Sequence, residues 1–395
     1  MTPAARVQAA IEVLDLVIAA VRGNGPPADR ILADWFRTRR FAGSGDRRAV
    51  RELVYRAIRL CGDVPQSGRA AMLLAAREDP ALATLFDGSR FGPQPIAPGE
   101  PVAETGIAPP WLEQALGRSA IAGEEAAALL GRAPLDLRVN TLKSARDALE
   151  LPEPGEPTVA PAGLRVPAGS RIEQWDAWKD GLVEVQDTGS QLACMAVDAR
   201  PGETVIDLCA GAGGKTLALA AAMENRGALI ACDTNRERLS RLPPRAERAG
   251  VTIAETVLLD PGKELEALSA WHGKADAVLV DAPCSGTGTW RRNPEARWRL
   301  TEAELARYAA LQARLLDIAA RLVREGGRLI YATCSLLDAE GAEQANAFLA
   351  RHSAWRTDLP ALAAGLPRGQ GLRLTPFQDG TDGFFVARFV AMCPI

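Results

Sequence analysis

At 395 residues the chain exceeds one typical domain, and its apolar and charged fractions are those of an ordinary globular protein. Its apolar runs fall short of a membrane span, and the first residues lack the apolar core of a signal peptide. A net charge of −3 excludes a broadly basic nucleic-acid coat, and two histidines with no Cys-x-x-Cys pair leave little from which to build a zinc site. The seven scattered cysteines predict free thiols in a reducing, cytoplasmic setting rather than a disulfide framework.

The first 133 residues read as helices. Val7, Ile11, Leu14, Val17, Ile18 and Val21 recur at helical spacing until Gly23 and Pro26 break the run. Asp46 is placed to cap a helix over Arg47–Leu60, and 70–86 and 110–131 also read as helical. Residues 37–59 carry Arg37, Arg39, Arg40, Arg47, Arg48, Arg51, Arg56 and Arg59 against Asp46 and Glu52. A second basic group is Arg291, Arg292, Arg297 and Arg299. Each is either a solvated surface or a phosphate footprint.

Beyond Pro134 the pattern changes. Leu135–Asn140 alternates as a strand does, and Gly163–Val166 is a second short strand, so 134–185 reads as a small α+β subdomain. From 186 to 395 strands alternate with helices, which predicts an α/β domain with a parallel sheet. Its strands fall at 203–208, 227–232, 254–259, 276–280 and 326–331, with a closing hairpin at 372–375 and 383–390.

The loop after the first of these strands is Asp207-Leu208-Cys209-Ala210-Gly211-Ala212-Gly213-Gly214-Lys215-Thr216. It lacks the glycine spacing of a P-loop and the third glycine of a dinucleotide fingerprint. An acid at the strand end followed by Gly-x-Gly lets the backbone approach a nucleoside-sized ligand. Asp233 ends the next strand and can accept ribose hydroxyls; Asp260 ends the third and can hold an adenine amino group. These acids, without metal ligands, point to S-adenosylmethionine.

Two thiols complete the pattern. Cys284 stands in Asp281-Ala282-Pro283-Cys284-Ser285-Gly286-Thr287-Gly288, and Cys334 in Ala332-Thr333-Cys334-Ser335. A lone cysteine is usually a small buried hydrophobe. Two delivered just past strand ends, where open α/β sheets bind ligands, suggest covalent chemistry. These segments, with Leu137-Arg138-Val139-Asn140-Thr141, Val185–Ser190 and Gly380-Thr381-Asp382-Gly383-Phe384-Phe385, resemble the Sun (Fmu) family of RNA cytosine-5 methyltransferases. The helical N-terminus resembles, more weakly, a NusB-like RNA-binding domain.

The resemblance implies a Rossmann-like S-adenosylmethionine-dependent methyltransferase domain, an RRM-like subdomain before it and an all-α N-terminal domain. It implies that Cys334 attacks carbon 6 of cytosine, that Cys284 assists release and that Asp281 binds the base. Cys209, Ala210, Gly211, Ala212, Gly213, Gly214, Lys215, Asp233, Asp260 and Asp281 would hold the cofactor. Lys215 is alternatively a solvated lysine at a helix start. The expected partner is RNA, ribosomal before transfer RNA, with no membrane, no metal and a monomeric chain. The competing reading is a non-catalytic RNA-binding module, against which the intact Cys284, Cys334 and Asp281 speak.

Overall fold

The computed structural model describes residues 1–392 and divides into two compact units. The first comprises residues 1–131 together with 289–301, a segment from far along the chain. The second comprises 132–288 and 302–395.

The core of the first unit is built by α1 Pro3–Arg22, α2 Ala28–Arg37, α3 Ser44–Leu60 and α4 Gly68–Glu78, and shorter helices follow at Pro80–Ala83, Pro110–Arg118 and Glu124–Ala128. The predicted stripe of α1, from Val7 to Val21, is buried along its whole length. Leu32, Trp35, Val54, Ile58 and Met72 complete that core. Helix α3 starts earlier than expected, at Ser44. Asp46 is therefore not its cap residue but lies inside the first turn, where its carboxylate reaches back to the Gly43 N–H at 3.3 Å and takes the Arg6 Nε–H at 2.9 Å.

Residues 289–301 hold the far ends of these helices. The Arg297 guanidinium, fully buried, donates to the carbonyls of Ile58 at 2.6 Å and Cys61 at 2.7 Å. These are the unpaired carbonyls at the C-terminus of α3, where the helix dipole favours a cation. Trp298 joins the helical core, and the Glu295 carboxylate accepts the Ala28 N–H at the start of α2, 3.0 Å away. Arg299 donates to the carbonyls of Gly25 and Pro26. Arg297 and Arg299 are thus helix and turn ties and Arg291 is buried, so the second basic group is not an open phosphate footprint. By contrast Arg37, Arg40, Arg47, Arg48 and Arg51 are exposed.

The second unit begins with a four-stranded antiparallel sheet in the order β2-β3-β1-β4: β1 Leu135–Val139, β2 Glu156–Pro157, β3 Gly163–Val166 and β4 Val183–Val185. Strands β1 and β3 are where the alternation placed them; β2 lies between them, where the sequence predicts no strand, and β4 is too short to leave a periodic signal. Leu137 and Val139 face the subdomain's own core. On the opposite face Asp136 is buried and takes the Arg165 guanidinium at 2.7 and 3.0 Å, with the Thr188 hydroxyl at 2.7 Å and its N–H at 3.2 Å. Arg165 also donates to the Gly380 carbonyl.

The main sheet has nine strands. β5 Thr204–Asp207, β6 Ala228–Asp233, β7 Ala254–Leu258, β8 Ala275–Asp281 and β9 Val323–Thr333 are parallel; β10 Trp355–Thr357, β11 Leu366–Arg368, β12 Gly371–Leu374 and β13 Phe384–Ala391 are antiparallel additions. The path runs β11-β12-β13-β9-β8-β5-β6-β7, with β10 on β13. The parallel strands and the β12–β13 hairpin match the sequence expectation; β10 and β11 are further. Alternate residues bury opposite faces. Ile206, Val278 and Leu329 pack under the helices Glu302–Leu322 and Ala342–Arg351, while Val205, Leu279 and Ile330 pack under Thr188–Met195 and Gly214–Ala222. The chain winds outward from β5 to β7 and returns at β8, so the strand order reverses between β5 and β8. That is where open α/β sheets bind ligands.

Asp136→Ala will remove four hydrogen bonds to one buried carboxylate. It should cost about 2–4 kcal/mol in chemical denaturation, the range for a buried polar network that loses its acceptor. A variant as stable as the parent would deny this carboxylate its structural role.

Candidate active site

A cleft of about 330 Å³ opens at that reversal point. Cys209, Ala210, Gly211, Ala212, Gly214, Lys215 and Asp281 line it. Gly213 lies behind the lining. It begins the helix Gly214–Ala222 with φ at +86°, and a β-carbon there would meet Leu242 at 2.2 Å, so glycine is required on two grounds. Asp233 is buried and shapes the loop, accepting the Gly211 N–H at 2.7 Å and the Asn235 N–H at 2.7 Å. Asp260 is exposed beyond the end of β7 and is not part of the lining.

The cleft has further walls. Val185, Gln186, Asp187 and Ser190 enter from the segment joining β4 to the main domain, and Arg238 and Arg245 from the region after β6. Arg245 donates to the Ala212 carbonyl at 2.6 Å and to Glu184 at 2.8 Å. The first set belongs to a motif visible in the sequence; the two arginines sit in a helical stretch with no spacing to distinguish them. Asp207, at the tip of β5, is fully buried. One of its oxygens accepts the Thr216 hydroxyl at 2.7 Å; the other has no hydrogen-bond partner. Burial, with the Asp281 charge nearby, raises its pKa to about 7.

The two thiols meet at the adjoining edge. Strands β8 and β9 pair in parallel with Asp281 opposite Ala332, so their following loops leave side by side. The sulfurs of Cys284 and Cys334 lie 3.4 Å apart, each half-buried. The backbone holds this geometry: the Gly288 N–H donates to the Cys334 carbonyl at 3.0 Å, and the Gly383 N–H to the Gly288 carbonyl at 2.8 Å. A β-carbon on Gly288 would stand 2.2 Å from the Gly383 carbonyl oxygen, which explains the glycine in both loops. Asp281 accepts the Lys215 ammonium at 2.7 Å, and that ammonium lies 5.6 Å from the Phe384 ring centroid. Burial works against the charge on Lys215, but the Asp281 carboxylate prevails and raises its pKa. Lys215 is therefore not a solvated lysine but the partner of the expected base-binding acid.

Beneath the Cys284 loop is a buried polar network that no sequence motif announces. The Glu340 carboxylate accepts the Ser285 N–H at 2.9 Å, the Ser285 hydroxyl and the Gln312 amide at 3.1 Å. Gln312 also donates to the Pro283 carbonyl at 2.9 Å. The Ser335 hydroxyl lies 3.2 Å from that of Ser285 and 3.1 Å from that of Thr287.

Among the described residues no group of three or more His, Cys, Asp or Glu side chains could hold a metal, and no helix is long and apolar enough to cross a membrane. Fold and cleft together define a Rossmann-like methyltransferase domain of the kind that takes its methyl group from S-adenosylmethionine. The family model for the 16S rRNA methyltransferase RsmB/F matches residues 194–390. A probable ribosomal RNA small subunit methyltransferase B of Synechocystis is 37% identical over 303 residues, 71% of this chain and 66% of that protein. The ribosomal RNA small subunit methyltransferase B of Pseudomonas syringae pv. tomato is 34% identical over 305 residues, 74% of this chain and 67% of that protein. The crystal structure of PH0851 superposes with a TM-score of 0.75 at 25% identity over 99% of each chain. The chain belongs to the RsmB/F family. It spans 58–66% of the length of several curated relatives that it matches.

Asp207 gives the cleft a pH signature. A ligand that brings positive charge favours the ionised carboxylate, so its binding should release a proton at neutral pH. S-adenosylmethionine affinity is expected to rise as pH increases through about 7 and then level off. Calorimetry in buffers of different ionisation heat will read the proton release, and Asp207→Asn should lose the trend. An affinity flat across this range in the parent would remove Asp207 from the electrostatics of binding.

Proposed function

We propose that this chain is an S-adenosylmethionine-dependent RNA cytosine-5 methyltransferase acting on small-subunit ribosomal RNA. The observation that carries the reading is the pair of thiols 3.4 Å apart at adjacent strand ends, beside an acid paired to Lys215 in the cofactor cleft. A methyltransferase acting on an amine or amide needs no such pair. The names of the relatives support ribosomal RNA over transfer RNA as substrate.

The chemistry accounts for the residue types. Carbon 5 of cytosine is too weak a nucleophile to take a methyl group unaided. Addition of the Cys334 thiolate to carbon 6 pushes electron density to carbon 5, which then attacks the sulfonium methyl. Asp281 hydrogen-bonds the amino edge and ring nitrogen of the base and, by sharing a proton with that nitrogen, relieves the negative charge that develops on addition. Loss of the carbon-5 proton restores the double bond, the carbon–sulfur bond breaks, and Cys284 assists that departure. Cys209–Lys215 would hold the donor in the cleft, with Asp233 at the end of β6 fixing the shape of that loop and Asp260 set beyond the lining at the end of β7. S-adenosylmethionine supplies an electrophilic methyl group there.

The domain proposal follows the chain: a helical, NusB-like RNA-binding domain over 1–133, an RRM-like subdomain over 134–185 and the catalytic domain over 186–395. Exposed Arg47, Arg48 and Arg51 on α3 favour RNA contact by the first. The described cysteines are all free, which suits a reducing cytoplasm, and the protein is proposed to act as a monomer.

Cys334→Ala should abolish methyl transfer while leaving cofactor affinity near that of the parent. Cys284→Ala should stall after addition and accumulate a protein–RNA adduct that survives denaturing electrophoresis; the double variant should form none. An adduct from Cys334→Ala but not from Cys284→Ala would exchange the two roles. If both single variants remain active and trap no RNA, the covalent mechanism is wrong.

Replacing Arg47, Arg48 and Arg51 together should weaken RNA binding and flatten its salt dependence, by about 0.9 in slope per duplex phosphate contact or about 0.7 per single-stranded one. An unchanged slope would leave these arginines as a solvated face.

A further inference from the structure

The two sulfurs are alike in chemistry but not in surroundings. On the Cys284 side lies Glu340, fully buried, in the turn after β9. Its carboxylate grips the next residue of the Cys284 loop through the N–H and hydroxyl of Ser285, and its remaining partner is the Gln312 amide. All three donors are neutral, so the negative charge stands uncompensated beside the loop. On the other side lies the Lys215 ammonium, close enough to act electrostatically on Cys334 and paired to Asp281 at 2.7 Å.

We infer that Glu340 is a positioning residue that keeps Cys284 in its thiol form, so that Cys284 donates a hydrogen bond to the Cys334 sulfur and Cys334 is the thiol that ionises. This rests on the methyltransferase reading for what the two thiols do, but not for their ionisation order. A carboxylate in a buried setting disfavours a second negative charge nearby, and little solvent is present to screen it. The titratable groups in electrostatic range of Cys284 are Cys334, Glu340, Tyr331 from β9 and Tyr308 from the helix Glu302–Leu322, and Asp281, three residues back at the end of β8, is paired to Lys215 from the helix Gly214–Ala222. Burial raises the pKa of both tyrosines, so they stay neutral. The Cys284 thiol is pushed well up by its bond to Cys334, by burial and by the charges of Cys334 and Glu340.

The arrangement serves both ends of the reaction. Before addition, a donated S–H stabilises the Cys334 thiolate. At release the carbon-5 proton passes to water, the carbon–sulfur electron pair returns to Cys334, and the same S–H meets it. Two equally acidic thiols would ionise in either order and would offer the base two nucleophiles.

The test needs neither RNA nor turnover. The full-length protein is alkylated with iodoacetamide across the range from about pH 6 to pH 10, and labelling at each cysteine is read by peptide mass spectrometry. Cys334 should label at lower pH than Cys284. Glu340→Gln should move the Cys284 curve down by about one pH unit, the effect of deleting a near charge in a partly buried site. Glu340→Asp should hold it near the parent value, and so should Ser285→Ala, which removes a hydroxyl but leaves the charge. If Cys284 labels at or below the pH of Cys334 in the parent, the inference fails, and this comparison stands even if Glu340→Gln does not fold. A folded Glu340→Gln whose Cys284 curve overlays the parent also overturns it. Methyl transfer to RNA is assayed separately. Its absence with the labelling order intact would sink the reaction reading and not the electrostatic one.

Discussion

Two cysteines separated by 50 positions can share a proton only because β8 and β9 are parallel neighbours in one register. The side-chain period of a strand is two, so a one-residue slip would turn Asp281 to the other face and carry the following loop with it. Alternating burial on the two sheet faces fixes that register: Val278 and Leu329 point one way, Leu279 and Ile330 the other. The loops beyond the strands are then pinned by backbone hydrogen bonds from Gly288 and Gly383 rather than by side chains. Placement of the two thiols at this sheet edge is thus a consequence of core packing, and the two glycines convert it into a fixed sulfur–sulfur distance.

Much of this was readable from the chain. Apolar strands ending in Asp207, Asp233 and Asp281 mark the ligand edge, because a strand buried on both faces reads as a run and its end as the first polar residue. The glycine loop and the two thiols follow from local motifs. Other features left no trace. Glu340, Gln312 and Ser285 come from three separate elements, and nothing in their spacing announces that they converge. Arg297 and Arg299 look like phosphate ligands in a sequence because a guanidinium seeks oxygen of any kind; here it finds main-chain carbonyls. The added strands β10 and β11 and the two-residue β2 are too short to show a period.

The small antiparallel sheet is tied to the nine-stranded sheet and its helices by charged and polar contacts. Asp136 bridges β1 and β3 to the start of the helix Thr188–Met195, and Arg165 goes on to the Gly380 carbonyl in the loop that leads to Gly383. The segment between β4 and that helix also walls the cofactor cleft through Gln186, Asp187 and Ser190. The same short stretch therefore joins, anchors and lines. Substitutions in it should be felt as folding defects before they are felt as changes in affinity.

A nine-stranded sheet that does not close leaves two raw edges, and each has its own guard. At one margin β7 is only five residues long, half-exposed, and carries Glu255 outward. At the other, β10 and β11 are three residues each, and Pro367 at the centre of β11 has no amide hydrogen to offer a neighbour. Short length, a charge and a missing donor are the devices by which open sheets refuse an incoming strand. A chain with this much parallel pairing assembles from distant segments and exposes its margins while doing so. The identities of residues 255 and 367, remote from any chemistry, bear on whether copies add edge to edge at high concentration during folding.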